Sequence, residues 1–245
     1  MRSNFSSSRL VRLLNTWAPA DAEVSRQDFA ERLGQWVGVS DAITLHAAQQ
    51  SMQSTTLEKP RPVSAAGIPP LQEEFQRVRT ALVQAIMAGG AGGGSAKGVA
   101  TTDADARYAP HRKRYLDLQR HMEMRIAALR RQVRQALSTA TPELAQLATL
   151  DAVLDRMLVD REQKLLSAVP VFLEQRFEHL RKNHPPAPQD PSAGPQDPAA
   201  SQAPGGWLDV FGAELQQLLL AELDDRLQPV MGLVEAFSNR DKQKQ

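Results

Sequence analysis

The stretch "ALRRQVRQALSTATPELAQLATLDAVL", residues 128–154, decides the fold, because one helical pattern stops within it and another begins. Thr141 is a good helix-capping residue, and Pro142 suits the first position of a new helix, where its missing N–H is not needed. We expect a break of three or four residues at this point. Two long amphipathic helices joined by so short a break favour an antiparallel helical hairpin.

Apolar side chains recur at helical spacing on both sides of this break, which predicts one buried face on each helix. Before the break the face consists of Tyr115, Leu118, Met122, Leu129, Val133 and Ala136, with Arg125 in the one position that lacks an apolar residue. After the break it consists of Leu144, Leu147, Leu150, Leu154, Leu158 and Leu165. Pro170 is expected to kink or restart the chain. A further apolar edge then follows at Val171, Phe172, Phe177 and Leu180.

Helical patterns also lie outside the hairpin. Residues 1–53 read as a small helical module, with a first helix capped by Ser7 or Ser8 and a second that starts near Ser25. A heptad seam at Leu71, Phe75, Val78, Leu82 and Ala85 predicts a helix that ends at the glycines from Gly89 onward. Residues 207–240 form a strongly amphipathic C-terminal helix bent at Pro229, whose apolar face must dock on its own chain or on a partner.

Segments rich in proline and glycine separate these patterns. Residues 54–70 read as a linker, 184–206 as a disordered Pro-rich linker, and 89–105 as a Gly-rich tether that interrupts the hairpin region at 71–183. A phosphate-binding loop is not expected in the tether, because Lys97 lies between Ala96 and Gly98 and no strand precedes it. The predicted fold is all-α, with a helical module, a hairpin and a tethered C-terminal helix.

The composition excludes several classes of site. The chain has 29 basic and 28 acidic residues, so its overall charge does not mark a binder of nucleic acid or of membrane surfaces. It has no cysteine, which excludes disulfides and thiolate metal sites and fits a reducing, cytoplasmic compartment. No run approaches the roughly 20 apolar residues that span a bilayer. The five histidines have no zinc-binding spacing, and no catalytic motif occurs, so we expect no enzyme activity, no cofactor and no metal.

The helix at 107–134 carries many cations, which raises the question of a nucleic-acid partner. Nine basic residues there face only Asp117 and Glu123. Because the charges spread around the helix and only Tyr108 and Tyr115 could stack a base, pairing with acidic residues is favoured over phosphate binding. The acidic C-terminal helix, in the same chain or in a sister subunit, is the expected counterpart. Its carboxylates between Trp207 and Phe237 are Asp209, Glu214, Glu222, Asp224, Asp225 and Glu235.

The segments "SRLVRLL", "SRQDFAERLGQWVGVSDAITL" and "RLQPVMGLVEAF" resemble an uncharacterised bacterial family built on a domain of unknown function. The resemblance covers most of the chain, with variable Pro/Gly-rich linkers between the matching blocks. It implies a bacterial protein and carries no catalytic motif.

The expected function is that of a non-enzymatic interaction or scaffold protein that acts through helix–helix contacts, with a protein partner or by self-association. A nucleic-acid-associated protein that uses the 107–134 helix is the alternative. A cytoplasmic accessory subunit of a membrane complex is a third possibility.

Overall fold

The computed structural model describes residues 8–17, 39–54, 71–88, 108–183 and 206–243. In these ranges the chain is helical and forms no strand, which confirms the all-α prediction. The helices are α1 (Arg9–Trp17), α2 (Val39–Ser54), α3 (Leu71–Ala88), α4 (Ala109–Ala140), α5 (Pro142–Leu166), α6 (Val169–Asn183) and α7 (Trp207–Gln243). None of the described helices combines the length and apolar character that crossing a membrane requires.

Several predicted segments lie outside the described residues. They are the helix that starts near Ser25, the tether at 89–105 with Lys97, and nearly all of the linkers at 54–70 and 184–206. Helix α3 is described up to Ala88, which agrees with the predicted end at the glycines next in the chain.

The helical hairpin is confirmed, and its turn is tighter than predicted. Helix α4 ends at Ala140 and α5 begins at Pro142, so Thr141 alone separates them. Its backbone is extended, and its hydroxyl accepts a hydrogen bond from the Leu144 amide at 3.4 Å. The expected break of three or four residues is therefore wrong, because one capping residue followed by proline is enough to restart the helix.

The buried face predicted for α4 agrees with the structure in outline but is wrong at one position. Ile126 is buried and Arg125 is exposed, although the sequence placed Arg125 in the seam. At about 100° per residue, Ile126 lies closer than Arg125 to the middle of the buried face set by Tyr115, Met122 and Leu129. On α3, Ile86 is likewise buried, whereas the predicted Ala85 is only half-buried.

The described helices belong to two compact units. Unit 1 comprises residues 1–18, 79–124 and 168–226, and unit 2 comprises residues 19–78, 125–167 and 227–245. Helix α1 packs against α6 in unit 1, and α2 packs against α5 in unit 2. The predicted domain limits, including a separate module at 1–53, stay a prediction.

In unit 1, the first part of α7 supplies much of the core. Leu215, Leu218 and Leu219 are fully buried there. The prediction that the C-terminal helix docks is confirmed for this part, and it docks on its own chain. Other buried side chains of unit 1 are Leu82, Ile86, Tyr115, Met122, Leu173, Phe177 and Phe211.

In unit 2, the hairpin turn and the last part of α7 supply buried residues. Buried apolar side chains are Phe75, Val78, Ile126, Leu129, Val133, Leu137, Leu144, Ala148, Leu227, Val230 and Leu233. Each large apolar side chain removed from water contributes roughly 1.5–3 kcal/mol to folding, so these residues together stabilise unit 2.

Candidate interaction surfaces

A hydrogen-bonded polar network lies in unit 1 around Glu222 of α7, whose side chain is 1% exposed. The Tyr115 hydroxyl donates to its Oε2 at 2.9 Å. Gln119 Nε2 donates to its Oε1 at 3.0 Å and to the Tyr115 oxygen at 2.7 Å. Arg226 Nε donates to Oε1 at 3.0 Å. Both carboxylate oxygens are therefore satisfied, as a buried charge requires.

The same network holds Tyr115 in its neutral form. Burial raises the pKa of Tyr115 far above its ordinary value, and the charge and hydrogen bond of Glu222 raise this pKa further. Tyr115 therefore stays protonated at neutral pH and donates its hydrogen bond to Glu222. The network joins α4 to α7 and fixes their register.

Aromatic rings pack around Phe177 of α6, also in unit 1. Its ring contacts Trp207 at 4.9 Å and Phe211 at 5.1 Å between centroids, both edge to face. His111 lies 5.2 Å from Phe211 in the same geometry. Tyr108 donates a hydrogen bond of 2.5 Å to the Pro170 carbonyl, and burial raises its pKa to about 12. Both tyrosines that could have stacked a base are thus buried.

A cluster of two arginines and two aspartates joins α4 to α5 in unit 2. Arg130 donates to both oxygens of Asp151, at 2.5 and 2.9 Å, and to Asp155 at 2.5 Å. Arg134 donates to the same two carboxylates, at 2.6 and 2.7 Å. The four contacts join residues shortly before Thr141 to residues shortly after it, as expected for an antiparallel hairpin that turns at Thr141. This geometry is the bidentate arrangement that makes arginine–carboxylate pairs strong.

The arginine–aspartate cluster lowers the pKa of Asp151. Burial alone would raise it, but the hydrogen bonds and charges of Arg130 and Arg134 outweigh burial and hold this pKa below its ordinary value.

The sequence paired the cations of α4 with the acidic C-terminal helix, and these two arginines contradict that pairing. The carboxylates of α7 have other partners: Arg176 binds Glu214 at 2.6 Å, and Arg79 contacts Asp224 at 3.4 Å.

The remaining cations of α4 were candidates for phosphate binding. Among the described residues, no ion pair is formed by Arg112, Lys113, Arg120, Arg125 or Arg131. Arg114 donates to the Ile86 carbonyl at 3.0 Å, where it caps the C-terminal end of α3. Arg107 lies outside the described residues.

A cavity of about 390 Å³ lies beside this cap in unit 1, and Ala85, Pro110, Lys113, Arg114, Asp117 and Leu118 line it. Within the described ranges, no group of three or more histidine, aspartate or glutamate side chains could hold a metal ion. His179 instead bonds Asn183 and His46 bonds Gln50, each one turn along its own helix.

One face of α5 passes from buried to exposed along the helix. Steps of three and four residues connect the positions that run from Leu144 to Leu165, with Asp151 and Arg161 among the leucines. Leu144 is 7% exposed, Leu158 is 40% exposed and Leu165 is 58% exposed. Because a seven-residue repeat drifts by about 20° per heptad on a straight helix, the stripe turns by about 60° between Leu144 and Leu165. The leucines beyond Leu154 therefore leave the hairpin, and we name Leu158 and Leu165 the exit face.

The two polar positions of this stripe are both ion-paired. Asp151 belongs to the arginine–aspartate cluster, and Arg161 Nη2 contacts Asp41 of α2 at 2.7 Å. The sequence pattern does not reveal these two ion pairs, although a charged residue at a seam position is a signal for them. Likewise, Glu222 is flanked by Leu219 and Leu223, which marks it as a carboxylate on an apolar helix. The expected burial of Leu158, Leu165 and Val171 is wrong, since all three are exposed.

A comparison with protein families finds one described as "Protein of unknown function (DUF3348)", which matches residues 1–239. No curated protein and no solved structure matches the chain.

Proposed function

The chain belongs to the DUF3348 family, and we propose that it is a non-enzymatic interaction or scaffold protein of the cytoplasm that acts through helix–helix contacts. The observation that supports this proposal is the exit face of α5. There a heptad stripe continues past the last residues that the hairpin covers, and Leu158 and Leu165 are 40% and 58% exposed. We propose that a helix of another chain covers them in a short coiled-coil contact.

The energetics of the exit face favour a partner. Covering a large apolar side chain contributes roughly 1.5–3 kcal/mol. Leu158 and Leu165 are one heptad apart, which is the spacing at which a partner helix packs in a coiled coil. The absence of cysteine from the sequence supports a reducing compartment for this contact.

The proposal can be tested with a photo-crosslinking amino acid in place of Leu165 in the full chain, expressed in its own cells. Crosslinks to another polypeptide, identified by mass spectrometry, are the expected result. The matched control carries the same group at Gln163, which is exposed and lies about 150° away from the exit face on α5. Equal labelling from both positions, or none from position 165, would exclude the exit face as a contact.

Nucleic-acid binding is the second candidate, and it is favoured by the five cations of α4 that form no ion pair with any residue the structure describes. Against it, the burial of Tyr108 and Tyr115 removes base stacking, and Arg130 and Arg134 are engaged by aspartates. The suitable test therefore changes Arg120, Arg125 and Arg131 to Glu. Binding of a duplex oligonucleotide that these changes abolish, with a salt slope of about 0.9 per phosphate contacted, would support this candidate. A role as an accessory subunit of a membrane complex stays an expectation from the sequence.

A further inference from the structure

Arg114 of α4 differs from the other half-buried arginines in the described part of the chain, because it has no carboxylate partner there. Those that bind a carboxylate are Arg130, Arg134, Arg161, Arg176 and Arg226. Arg114 instead donates to the Ile86 carbonyl, which carries only a partial charge. Burial lowers the pKa of Arg114 below its ordinary value. A partly desolvated cation without a counter-charge is unfavourable, so an anion near this guanidinium would stabilise it.

Arg114 lines the cavity of about 390 Å³ in unit 1, where the end of α3 meets the start of α4. Lys113 lines the same cavity and forms no ion pair with any described residue. Ala85, Pro110 and Leu118 supply the apolar wall of the cavity. Small-molecule sites in proteins have volumes of roughly 300–1,000 Å³ and combine apolar walls with a few polar groups, and this cavity has both properties.

We propose that this cavity binds a small organic acid, with its carboxylate against Arg114 and Lys113 and its body against the apolar wall. A guanidinium matches a carboxylate because two parallel N–H groups can donate to its two oxygens. Asp117 also lines the cavity and opposes a second negative charge, so a monocarboxylate fits better than a phosphate dianion. The site belongs to unit 1 and the exit face to unit 2, so this inference does not depend on the proposed function.

Benzoate and benzamide test the charge requirement, because the two molecules have nearly the same shape and only benzoate is charged. Each is titrated into the ¹⁵N-labelled full chain, and amide signals are followed by NMR. Benzoate should shift the signals of residues 111–118 and bind about tenfold more tightly than benzamide, because hydrogen bonds to charged groups are the stronger ones. Equal binding of the two compounds, or no shift of these signals with benzoate, would overturn the proposal.

Variants of the lining residues test the position of the site. Lys113→Gln removes a charge from the cavity wall and should weaken benzoate binding about fivefold. Arg120→Gln is the matched control, because it removes the same charge from an exposed position of α4 outside the cavity lining. Asp117→Asn should strengthen benzoate binding about threefold, since it removes the opposing carboxylate. Equal effects of Lys113→Gln and Arg120→Gln, or weaker binding by Asp117→Asn, would overturn the site.

Arg114→Lys tests the guanidinium itself, because it keeps the charge and removes the paired donors. We expect about tenfold weaker benzoate binding, with thermal unfolding as a check on the fold; if this variant unfolds, Lys113→Gln decides. Inorganic phosphate is the last probe. It should bind more weakly than benzoate, because it carries more charge against Asp117 and has no apolar body. Phosphate binding as tight as that of benzoate would overturn the assignment to an organic acid.

Discussion

Units 1 and 2 each join α4 to another helix through polar side chains, but they do so in different surroundings. In unit 1 the carboxylate of Glu222 is 1% exposed, and it receives hydrogen bonds from one tyrosine, one glutamine and one arginine. In unit 2 two carboxylates face two arginines, and Asp155 keeps 40% of its side chain in water. The first arrangement is a single buried charge among mostly neutral donors, and the second is a balanced cluster close to solvent.

This difference determines how much stability each unit loses when one polar side chain is removed. A buried partner that loses its hydrogen bond cannot be rehydrated, so the full desolvation cost remains. In the arginine–aspartate cluster, each arginine binds both aspartates, so either aspartate can leave without isolating an arginine. The contrast therefore predicts that unit 1 is sensitive to single polar changes and that unit 2 tolerates them better.

The largest effect is expected where unit 1 depends on apolar packing. Changing Leu215 and Leu218 together to Lys places two charges at fully buried positions of α7. We expect loss of cooperative thermal unfolding and aggregation, because the cost exceeds the roughly 5–15 kcal/mol by which domains are usually stable. Deletion of residues 207–245 should do the same. Circular dichroism and light scattering provide the measurements.

The matched control for this change is Leu208→Lys, on an exposed position of the same helix, which should unfold like the unmodified chain. If the double variant kept its melting temperature and its size, the docking of α7 would contribute nothing to unit 1.

The next largest effect is expected from Glu222→Ala. It removes the buried carboxylate to which Tyr115, Gln119 and Arg226 all donate, and removal of one side of a buried charged network costs about 3–5 kcal/mol. Denaturant unfolding measures this loss. Asp224→Ala is the control, because its exposed contact with Arg79 at 3.4 Å should be worth about 1 kcal/mol or less. Similar losses from both variants would contradict the role of burial.

The comparison also explains which features the sequence could predict. The cap at Thr141 and the restart at Pro142 depend on neighbouring residues, so local chemistry was sufficient for both. The network of Glu222 depends on Tyr115, which is 107 residues away in the chain. Nothing in the sequence around Glu222 indicates that donors will meet it there. The leucines around Glu222 indicate a carboxylate on an apolar helix, but its hydrogen-bond partners could not be inferred from the local pattern.

The interaction surfaces were predicted in kind but not in position. The sequence predicted that cations of α4 pair with acidic residues. It placed those acidic residues on α7, whereas Arg130 and Arg134 bind Asp151 and Asp155, which are nearer in the chain. A hairpin brings residues 17 to 25 positions apart together, so the pairing followed from a turn already predicted. The exit face was read as buried because a strict heptad ignores the slow rotation of the stripe. That rotation needs the helix boundaries, which only the structure supplies.

A smaller effect is expected from Asp151→Ala in unit 2. Arg130 and Arg134 both keep Asp155, so we expect a loss of about 1.5–3 kcal/mol, typical of hydrogen bonds to charged groups. Asp155→Ala should cost less, because that carboxylate is partly hydrated. Denaturant titrations at low salt and at about 1 M salt should show a larger loss at low salt. A cost equal to that of Glu222→Ala would remove the contrast between the two units.

The smallest effect concerns pH. Removing the ionisable group of Asp225 in unit 1 and that of Asp151 in unit 2 should change the free energy of unfolding with opposite signs. Burial raises the pKa of Asp225 in unit 1, and the nearby carboxylate of Asp224 raises it further, although a hydrogen bond from Ser8 lowers it. Because the folded pKa exceeds the unfolded value near 3.8, the ionised Asp225 destabilises the protein at neutral pH. The destabilisation caused by ionised Asp225 should therefore disappear as the pH falls through its folded pKa and the carboxylate is protonated. Asp225→Asn should stabilise the chain at pH 7 and have little effect near pH 3.

Asp151 in unit 2 has a folded pKa below 3.8, so its contribution is fully present above that value and is lost as pH falls through the folded pKa. Asp151→Asn should thus destabilise at pH 7, and the difference from the unmodified chain should shrink below pH 3.8. Urea titrations of both variants between pH 7 and pH 3 provide the measurement, with Gln163→Asn as an exposed, non-titrating control on α5. Because Asp225 is penalised by its surroundings and Asp151 is favoured by two arginines, the two free-energy differences should have opposite signs at pH 7 and converge toward acid. Differences of the same sign at pH 7 would show that the two carboxylates do not differ in the way that their surroundings require.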